Sequence, residues 1–183
     1  KDERAAISEL WIAVFFVLAG IYALLAVPLK SYLQPLIIMS VIPFGLIGAI
    51  LGHFFLGKTV SIISLLGFIA LGGVVVNDSL IMVDFVNKKV RAGMSHAQAS
   101  VEAGAERFRP IILTSLTTFF GLVPILSETS TQAQMIIPMA ISLAFGILFA
   151  TIITLILVPA LYNIFADFMP DTHRSVDAQA QPA

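Results

Sequence analysis

The chain has 183 residues, of which 58% are hydrophobic and 11% are charged, and its formal net charge is −1. Soluble domains contain roughly a quarter charged residues, so this composition excludes an ordinary soluble protein and indicates one that lipid covers. Ten Lys and Arg residues against eleven Asp and Glu residues leave no basic excess for a nucleic-acid partner. Because the sequence has no cysteine, disulfides, thiolate nucleophiles and Cys-based metal sites are also excluded.

Five apolar runs are long enough to cross a membrane, since about 20 helical residues span the roughly 30 Å of hydrocarbon. The last run is too long for one straight crossing, and we expect it to extend past the bilayer near Pro159. The sequence therefore predicts an all-α membrane protein with a transmembrane helical bundle over residues 10–168. The predicted spans cover residues 10–27, 36–56, 60–86, 108–126 and 134–165.

The remaining segments are polar. Residues 1–9 are interpreted as the periplasmic end of a preceding domain, and we expect a chain that starts at Lys1 to be a piece of a larger protein. A signal peptide fits poorly, because the first run is long and no small-x-small cleavage site follows it. Residues 87–107 form a cytoplasmic linker, in which Ser95-His96-Ala97-Gln98 resembles a capping box that opens a short helix. Residues 169–183 lose apolar periodicity and are predicted to be a disordered tail.

Basic residues set the predicted orientation, because Lys and Arg accumulate on the cytoplasmic side of membrane proteins. Five spans place only Lys1, Arg4 and Lys58 on one side. The other side is therefore predicted to be cytoplasmic and to include the C-terminus of a multi-pass membrane protein. It receives Lys30, Lys88, Lys89, Arg91, Arg107, Arg109 and Arg174.

Small residues mark expected helix contacts, because close packing is the main attraction between helices in lipid. Gly48 and Gly52 form a small-xxx-small pair in the second span. Gly72 and Gly73 lie in the third span, where paired glycines indicate either close backbone approach or a place where the helix flexes. All four are predicted to serve helix packing.

Asp78 is the main candidate for chemistry, since a carboxylate inside the bilayer costs at least a few kcal/mol. It follows Asn77 and precedes Ser79 within the third span. Such a residue usually faces a protein interior, where it pairs with a cation or binds protons. The alternative is a structural carboxylate held by neighbouring hydroxyls and amides. Asp84 points about 120° away on the same helix and is interpreted as interfacial.

Arg107 at the start of the fourth span is the natural cation for such a carboxylate. Arg107, Ile111 and Thr114 are spaced i, i+4 and i+7, so the Arg and Thr share a helix face. Alternatively, Arg107 and Arg109 are headgroup anchors, and Thr114 only satisfies backbone carbonyls of its own helix.

Enzyme motifs are missing from the sequence. It has no HExxH, GxSxG or P-loop motif, and no GxGxxG in a strand-turn-helix setting. His53 has no partner in the sequence and is interpreted as interfacial, so a hydrolase built on Ser79 and His53 is disfavoured. We predict a non-enzyme without a cofactor or a metal site.

The third and fourth spans resemble those of the resistance–nodulation–division (RND) transporters. The resemblance is carried by residues 73–85 (GVVVNDSLIMVDF), by the polar linker and by residues 106–116 (ERFRPIILTSL). It extends from Leu10 to Phe165 and matches the last five of that family's twelve spans in order, spacing and orientation. The inner-membrane pumps of the hydrophobe/amphiphile efflux (AcrB-like) branch are the most similar.

The resemblance implies a proton-driven antiporter that forms homotrimers and works with a periplasmic adaptor and an outer-membrane channel. In such pumps, Asp residues on the fourth span exchange protons and interact with a basic residue on the tenth span and an Arg and a Thr on the eleventh. Arg107 and Thr114 match those last two positions. Asn77 stands where well-known drug pumps have Lys, and Asp78 stands where they have Asn, so the relay of Asp78, Asn77, Arg107 and Thr114 differs from the Lys-containing one.

The sequence therefore predicts the C-terminal membrane portion of an RND pump that exports drugs or other amphiphiles. Its expected partners are membrane lipid and the missing N-terminal half and periplasmic domains of the same protein, without which we expect no transport. The alternatives are an RND transporter of lipids or of exported proteins, and a membrane scaffold that transports nothing.

Overall fold

The structure is a computed structural model that describes residues 2–166, with side chains described for residue 9 and residues 11–165. Helices make up nearly all of this region, which contains no strand, so the all-α prediction is confirmed. The tail predicted for residues 169–183 lies outside the described residues. The helices are α1 (Asp2–Leu29), α2 (Leu33–Met39), α3 (Ile42–Phe55), α4 (Ile62–Arg91), α5 (His96–Leu126) and α6 (Thr131–Ala166).

Five segments of the described chain are helical, long and apolar enough to cross a membrane. Four of them are single helices, whereas the second, Leu33–Phe55, combines α2 and α3. The helix breaks just before Pro43, which has no N–H to donate to the carbonyl of Met39. The Ser40 hydroxyl donates to the Ile37 carbonyl at 2.6 Å and thereby helps to close α2. The predicted number of spans is confirmed.

The connection between α4 and α5 is shorter than the predicted linker of residues 87–107. Helix α4 continues to Arg91, and α5 begins at His96 with the Ser95 hydroxyl accepting from the Gln98 amide at 3.3 Å. The expected short helix does not end before the fourth span but continues through Pro110. The reason is a buried stripe with i+4 spacing that continues past the proline, so one face of α5 is packed from Ala99 to Ser115. Its fully buried members are Ala99, Ala103, Ile111 and Ser115.

Helix α6 is the centre of the bundle and packs against α3, α4 and α5. Contact with α3 is close because Gly48 and Gly52 leave room for the α6 backbone and for Phe145. A Cβ added at Gly48 would lie 2.7 Å from the Phe145 carbonyl oxygen, and one at Gly52 would lie 2.5 Å from the Phe145 ring. Helix α1 lies at the edge, where it contacts mainly α2.

Candidate functional site

Helix α4 carries the polar segment Asn77-Asp78-Ser79 on three different faces, because consecutive helical residues are about 100° apart. The helix starts at a capping box between Ser61 and Ser64 and is continuous past Gly72 and Gly73. Asn77 is exposed, Asp78 is half-buried, and Ser79 is buried. The carboxylate therefore lies at the boundary between the packed and the open side of α4.

Asp78 makes no ion pair and no hydrogen bond with any residue in the described range 2–166. The structure thus brings neither Arg107 nor a neighbouring hydroxyl to it. The Ser79 hydroxyl, although buried, also has no hydrogen-bond partner within that range. Two adjacent polar groups in the membrane-spanning part of α4 are left unsatisfied by the described chain.

One side of α4, which we name the open face, consists of exposed residues at helical spacing. A Cβ added at Gly73 would meet nothing within 4 Å, whereas one at Gly72 would lie 3.9 Å from Ile42 Cγ2. The two glycines therefore face different sides, and no described residue packs on Gly73. The open face comprises Ala70, Gly73, Val74, Asn77 and Ile81.

Arg107 lies on α5 against the C-terminal half of α4. Its guanidinium carbon is 4.4 Å from the centroid of the Phe85 ring, within the range of a cation–π interaction. Its Nε is buried and has no hydrogen-bond partner among the described residues.

Thr114, two turns further along α5, is exposed. Its hydroxyl donates to the Ile111 carbonyl at 2.9 Å, which is the backbone-satisfying arrangement considered for it above. Helical spacing puts Arg107 and Thr114 on one side of α5, but at the level of Thr114 no described residue covers that side.

Acidic and basic side chains link the C-terminal end of α4 to the N-terminal part of α5. Lys89 Nζ lies 2.9 Å from Glu102 Oε1 and 2.9 Å from Glu106 Oε1. Asp84 pairs instead with Lys88 on its own helix at 2.7 Å, and both side chains are at least half exposed. Asp84 is therefore occupied by a solvent-facing ion pair, unlike Asp78.

Comparison with known proteins identifies the family. The model of the AcrB/AcrD/AcrF family matches residues 1–166 of the chain. The chain belongs to this family. The resemblance to RND transporters is thereby confirmed. The AcrB/AcrD/AcrF family is a family of membrane transporters and not of enzymes.

Individual relatives match nearly the whole chain. Swarming motility protein SwrC of Bacillus subtilis (strain 168) is 30% identical over 168 residues, which are 91% of this chain and 16% of SwrC. Two crystal forms of a heavy metal efflux pump match at 28% identity with TM-scores of 0.78 and 0.81, covering 92% of this chain. The chain spans 16% to 17% of the length of these relatives.

This family member also contains a buried polar network that the sequence did not reveal. Gln34 and Asn87 exchange two amide hydrogen bonds of 2.9 Å, and the Tyr162 hydroxyl donates to Asn87 Oδ1 at 2.6 Å. The network ties α2, the last turns of α4 and the last turns of α6 together. Gln34 precedes the predicted second span and Asn87 was assigned to the linker, so neither residue was singled out from the sequence.

A second buried contact corrects the interpretation of His53. This side chain is 3% exposed, so it lies inside the bundle, and it has a partner there. Its Nδ1 lies 2.9 Å from the Ala49 carbonyl, so Nδ1 carries a hydrogen, and its Nε2 lies 2.9 Å from the Ser64 hydroxyl. His53 therefore ties α3 to the first turn of α4, and it does not approach Ser79 within hydrogen-bonding distance.

Proposed function

We propose that the chain forms the C-terminal transmembrane part of an RND efflux pump that exports amphiphiles in exchange for protons. Asp78 is the observation that carries this proposal. It is a half-buried carboxyl group in a membrane span of a transporter family member, and no described residue pairs with it. A carboxyl group in such a place either accepts a proton or attracts a cation, and an antiporter needs a group that alternates between these states.

The cation available to Asp78 comes from α5. Helix α4 has no basic residue from Ile62 to Asn87, and α6 has no charged residue at all. Arg107 has no carboxylate partner of its own in the described chain. We therefore assign Arg107 as the counter-charge and Thr114 as a polar neighbour on the same side of α5, with Asn77 in place of a lysine.

The proposed cycle uses the change in charge on Asp78. When the carboxyl group is ionised, it attracts the Arg107 guanidinium and draws α4 and α5 together. Protonation removes that attraction and lowers the free energy of the arrangement in which the helices are apart. A proton that enters from one side of the membrane and leaves to the other thereby changes which helix arrangement is populated.

The rest of the protein is part of the proposal. Because the chain spans 16% of its relative SwrC, we propose that an N-terminal half with periplasmic domains completes the transporter, and that its helices cover the open face of α4. The assembly is proposed to be a homotrimer in the bacterial inner membrane, with a periplasmic adaptor and an outer-membrane channel. Lys88, Lys89 and Arg91 at the end of α4 support a cytoplasmic location for that end and for the C-terminus.

Metal ions are a second candidate cargo, and the similarity to a heavy metal efflux pump favours them. The two cargo classes separate in one assay. A proton gradient is imposed across the membrane of vesicles that contain the full-length protein. Transport of the cationic amphiphile ethidium and transport of Zn²⁺ are then followed in parallel. We expect ethidium transport, and gradient-driven transport of Zn²⁺ alone would replace the amphiphile assignment.

Coupling is tested in the same vesicles with matched substitutions. We expect Asp78→Asn and Arg107→Ala to abolish gradient-driven transport while the trimer still assembles. Asp84→Asn and Arg109→Ala, which remove the same charges from exposed positions, should retain it. If Asp78→Asn and Arg107→Ala both pump normally, the coupling assignment is wrong. If the protein that carries both Asp78→Asn and Arg107→Ala keeps every function, a membrane scaffold that transports nothing is supported instead.

A further inference from the structure

Two cationic side chains approach the Phe85 ring near the C-terminal end of α4. Arg107 Cζ is 4.4 Å from the ring centroid, and Lys89 Nζ is 5.2 Å from it. Both distances fall within the roughly 6 Å at which a cation is attracted to an aromatic face. The ring is half-buried against the bundle core, so the contact is partly shielded from water.

The two cations differ in their other partners. Lys89 is engaged by Glu102 and Glu106, each at 2.9 Å. Arg107 makes no ion pair within the described chain, and its neighbour Glu106 points about 100° away from it on the helix. Within the described chain, the contact that attracts the Arg107 guanidinium is the face of the Phe85 ring.

The position of Arg107 is incompletely satisfied. Its Nε is buried without a hydrogen-bond partner in the described part of the chain. A buried donor in that state raises the free energy of the arrangement, so a carboxylate within reach competes effectively for the guanidinium. The position of the Arg107 guanidinium on the ring is therefore suited to a side chain that alternates between two positions.

Phe85 and Asp78 lie on the same side of α4. They are seven residues apart, which corresponds to an angular offset of about 20° and a rise of about 10 Å along the helix. The guanidinium thus rests two turns to the cytoplasmic side of the carboxyl group, on the same strip of helix surface. An arginine side chain that leaves the ring moves along this strip toward Asp78.

The other charged groups of α4 and α5 near this strip already have partners. On α4, Asp84 is paired with Lys88, and on α5, Glu102 and Glu106 are paired with Lys89. Helix α6 contributes no charged side chain, and its nearest titratable group, Tyr162, donates to Asn87. Among the carboxyl groups of α4 and α5, Asp78 is the one that no described lysine or arginine pairs with.

We propose that Phe85 is a positioning residue that holds the Arg107 guanidinium away from Asp78 while Asp78 is protonated. This inference rests on the proposed function and deepens it. The attraction of a ring face is strong enough to hold a partly desolvated guanidinium, yet weaker than a hydrogen-bonded ion pair. Phe85 therefore releases Arg107 when Asp78 loses its proton and receives it again when the proton returns.

The test varies the ring face at constant size in the full-length protein in vesicles. Phe85 is replaced by phenylalanines with one, two and three ring fluorines, which weaken the attraction of the ring for a cation and change its shape little. We expect gradient-driven transport to fall progressively along this series. Phe85→Leu should lower the rate about tenfold, the equivalent of one partly desolvated cation–π contact, and Phe85→Tyr should restore it.

Phe119→Leu is the matched control, because Phe119 is a half-buried ring on α5 that contacts the Phe145 ring at 5.6 Å and no cation. It should leave the rate within about twofold of the wild type, since it removes no cation–π contact. If fluorination has no effect on transport, Phe85 acts through shape alone and the proposal is overturned, even if Phe85→Leu fails to fold.

Two further variants separate this proposal from the one on which it rests. If Asp78→Asn and Arg107→Ala abolish transport while the fluorinated rings transport normally, only the role of Phe85 is refuted. If Asp78→Asn and Arg107→Ala both transport normally, the proton relay itself is refuted.

Discussion

Two regions of the bundle differ in how their helix faces are covered. In the most apolar stretch of the α2–α3 span and of α6, 50% of the residues are buried. In the corresponding stretches of α1 and α5, only 11% are buried. In the packed region, glycines allow backbones to approach and hydroxyls, amides and His53 find partners. In the uncovered region lie Asn77, Thr114 and Gly73. The buried amides and His53 are satisfied within the described helices, whereas Asn77 and Thr114 are exposed and Asp78 has no partner among the described residues.

The largest expected effect comes from filling a glycine contact in the packed region. A Cβ added at Gly67 would collide with the Met139 carbonyl oxygen and lie 3.0 Å from Met139 Cα. Because both are backbone atoms, α4 and α6 must separate, and Gly67→Ala should lower the free energy of unfolding by about 2–3 kcal/mol. Thermal unfolding of the purified full-length protein in detergent measures this.

Gly121→Ala provides the comparison on α5, since a Cβ there meets nothing within 4 Å of it in the described chain. It should be neutral or stabilise the protein by up to about 1 kcal/mol through better helix propensity. Equal unfolding temperatures for Gly67→Ala and Gly121→Ala would show that the close approach of α4 and α6 carries no stability.

An intermediate effect is expected from the buried amide network. Gln34→Leu removes both amide bonds to Asn87 and leaves the Asn87 amide nitrogen without that acceptor, at a cost of about 1–2 kcal/mol. Tyr162→Phe removes one bond and should cost about 1 kcal/mol. Denaturant unfolding in detergent gives both values. Tyr22→Phe, which removes an exposed hydroxyl bonded to the Tyr32 carbonyl, should change little, and an equal loss in all three variants would contradict the role of the network.

The smallest expected effects concern the ion pairs at the end of α4. Lys88→Gln breaks an exposed i,i+4 pair with Asp84 and should cost less than about 0.5 kcal/mol. Lys89→Gln breaks two pairs that join α4 to α5 and should lower the free energy of unfolding by more than Lys88→Gln does. Unfolding at low and high salt distinguishes them, because raising the salt concentration should reduce the Lys89 effect only partly. Identical losses at both positions would show that the link between the helices adds nothing.

Much of the architecture could be predicted from the sequence. Run length and composition determined an all-α bundle with five membrane-crossing segments, because a chain in lipid must satisfy its backbone within each helix. The segments around Asp78 and Arg107 were enough to indicate the family. Local chemistry was also sufficient for the Ser95 cap, whose partner Gln98 is three residues away.

Only the tertiary structure decided which side of each helix is covered. His53 was predicted to be interfacial and is buried, because the chain folds back and brings Ser64 to its ring. Asn87 was placed in a linker, yet its partners Gln34 and Tyr162 are 53 and 75 residues away in sequence. Helical periodicity assigns residues to faces of one helix, but a polar group in lipid is satisfied by whatever the neighbouring helix presents at the same depth. That depends on how the helices cross, which no single helix encodes.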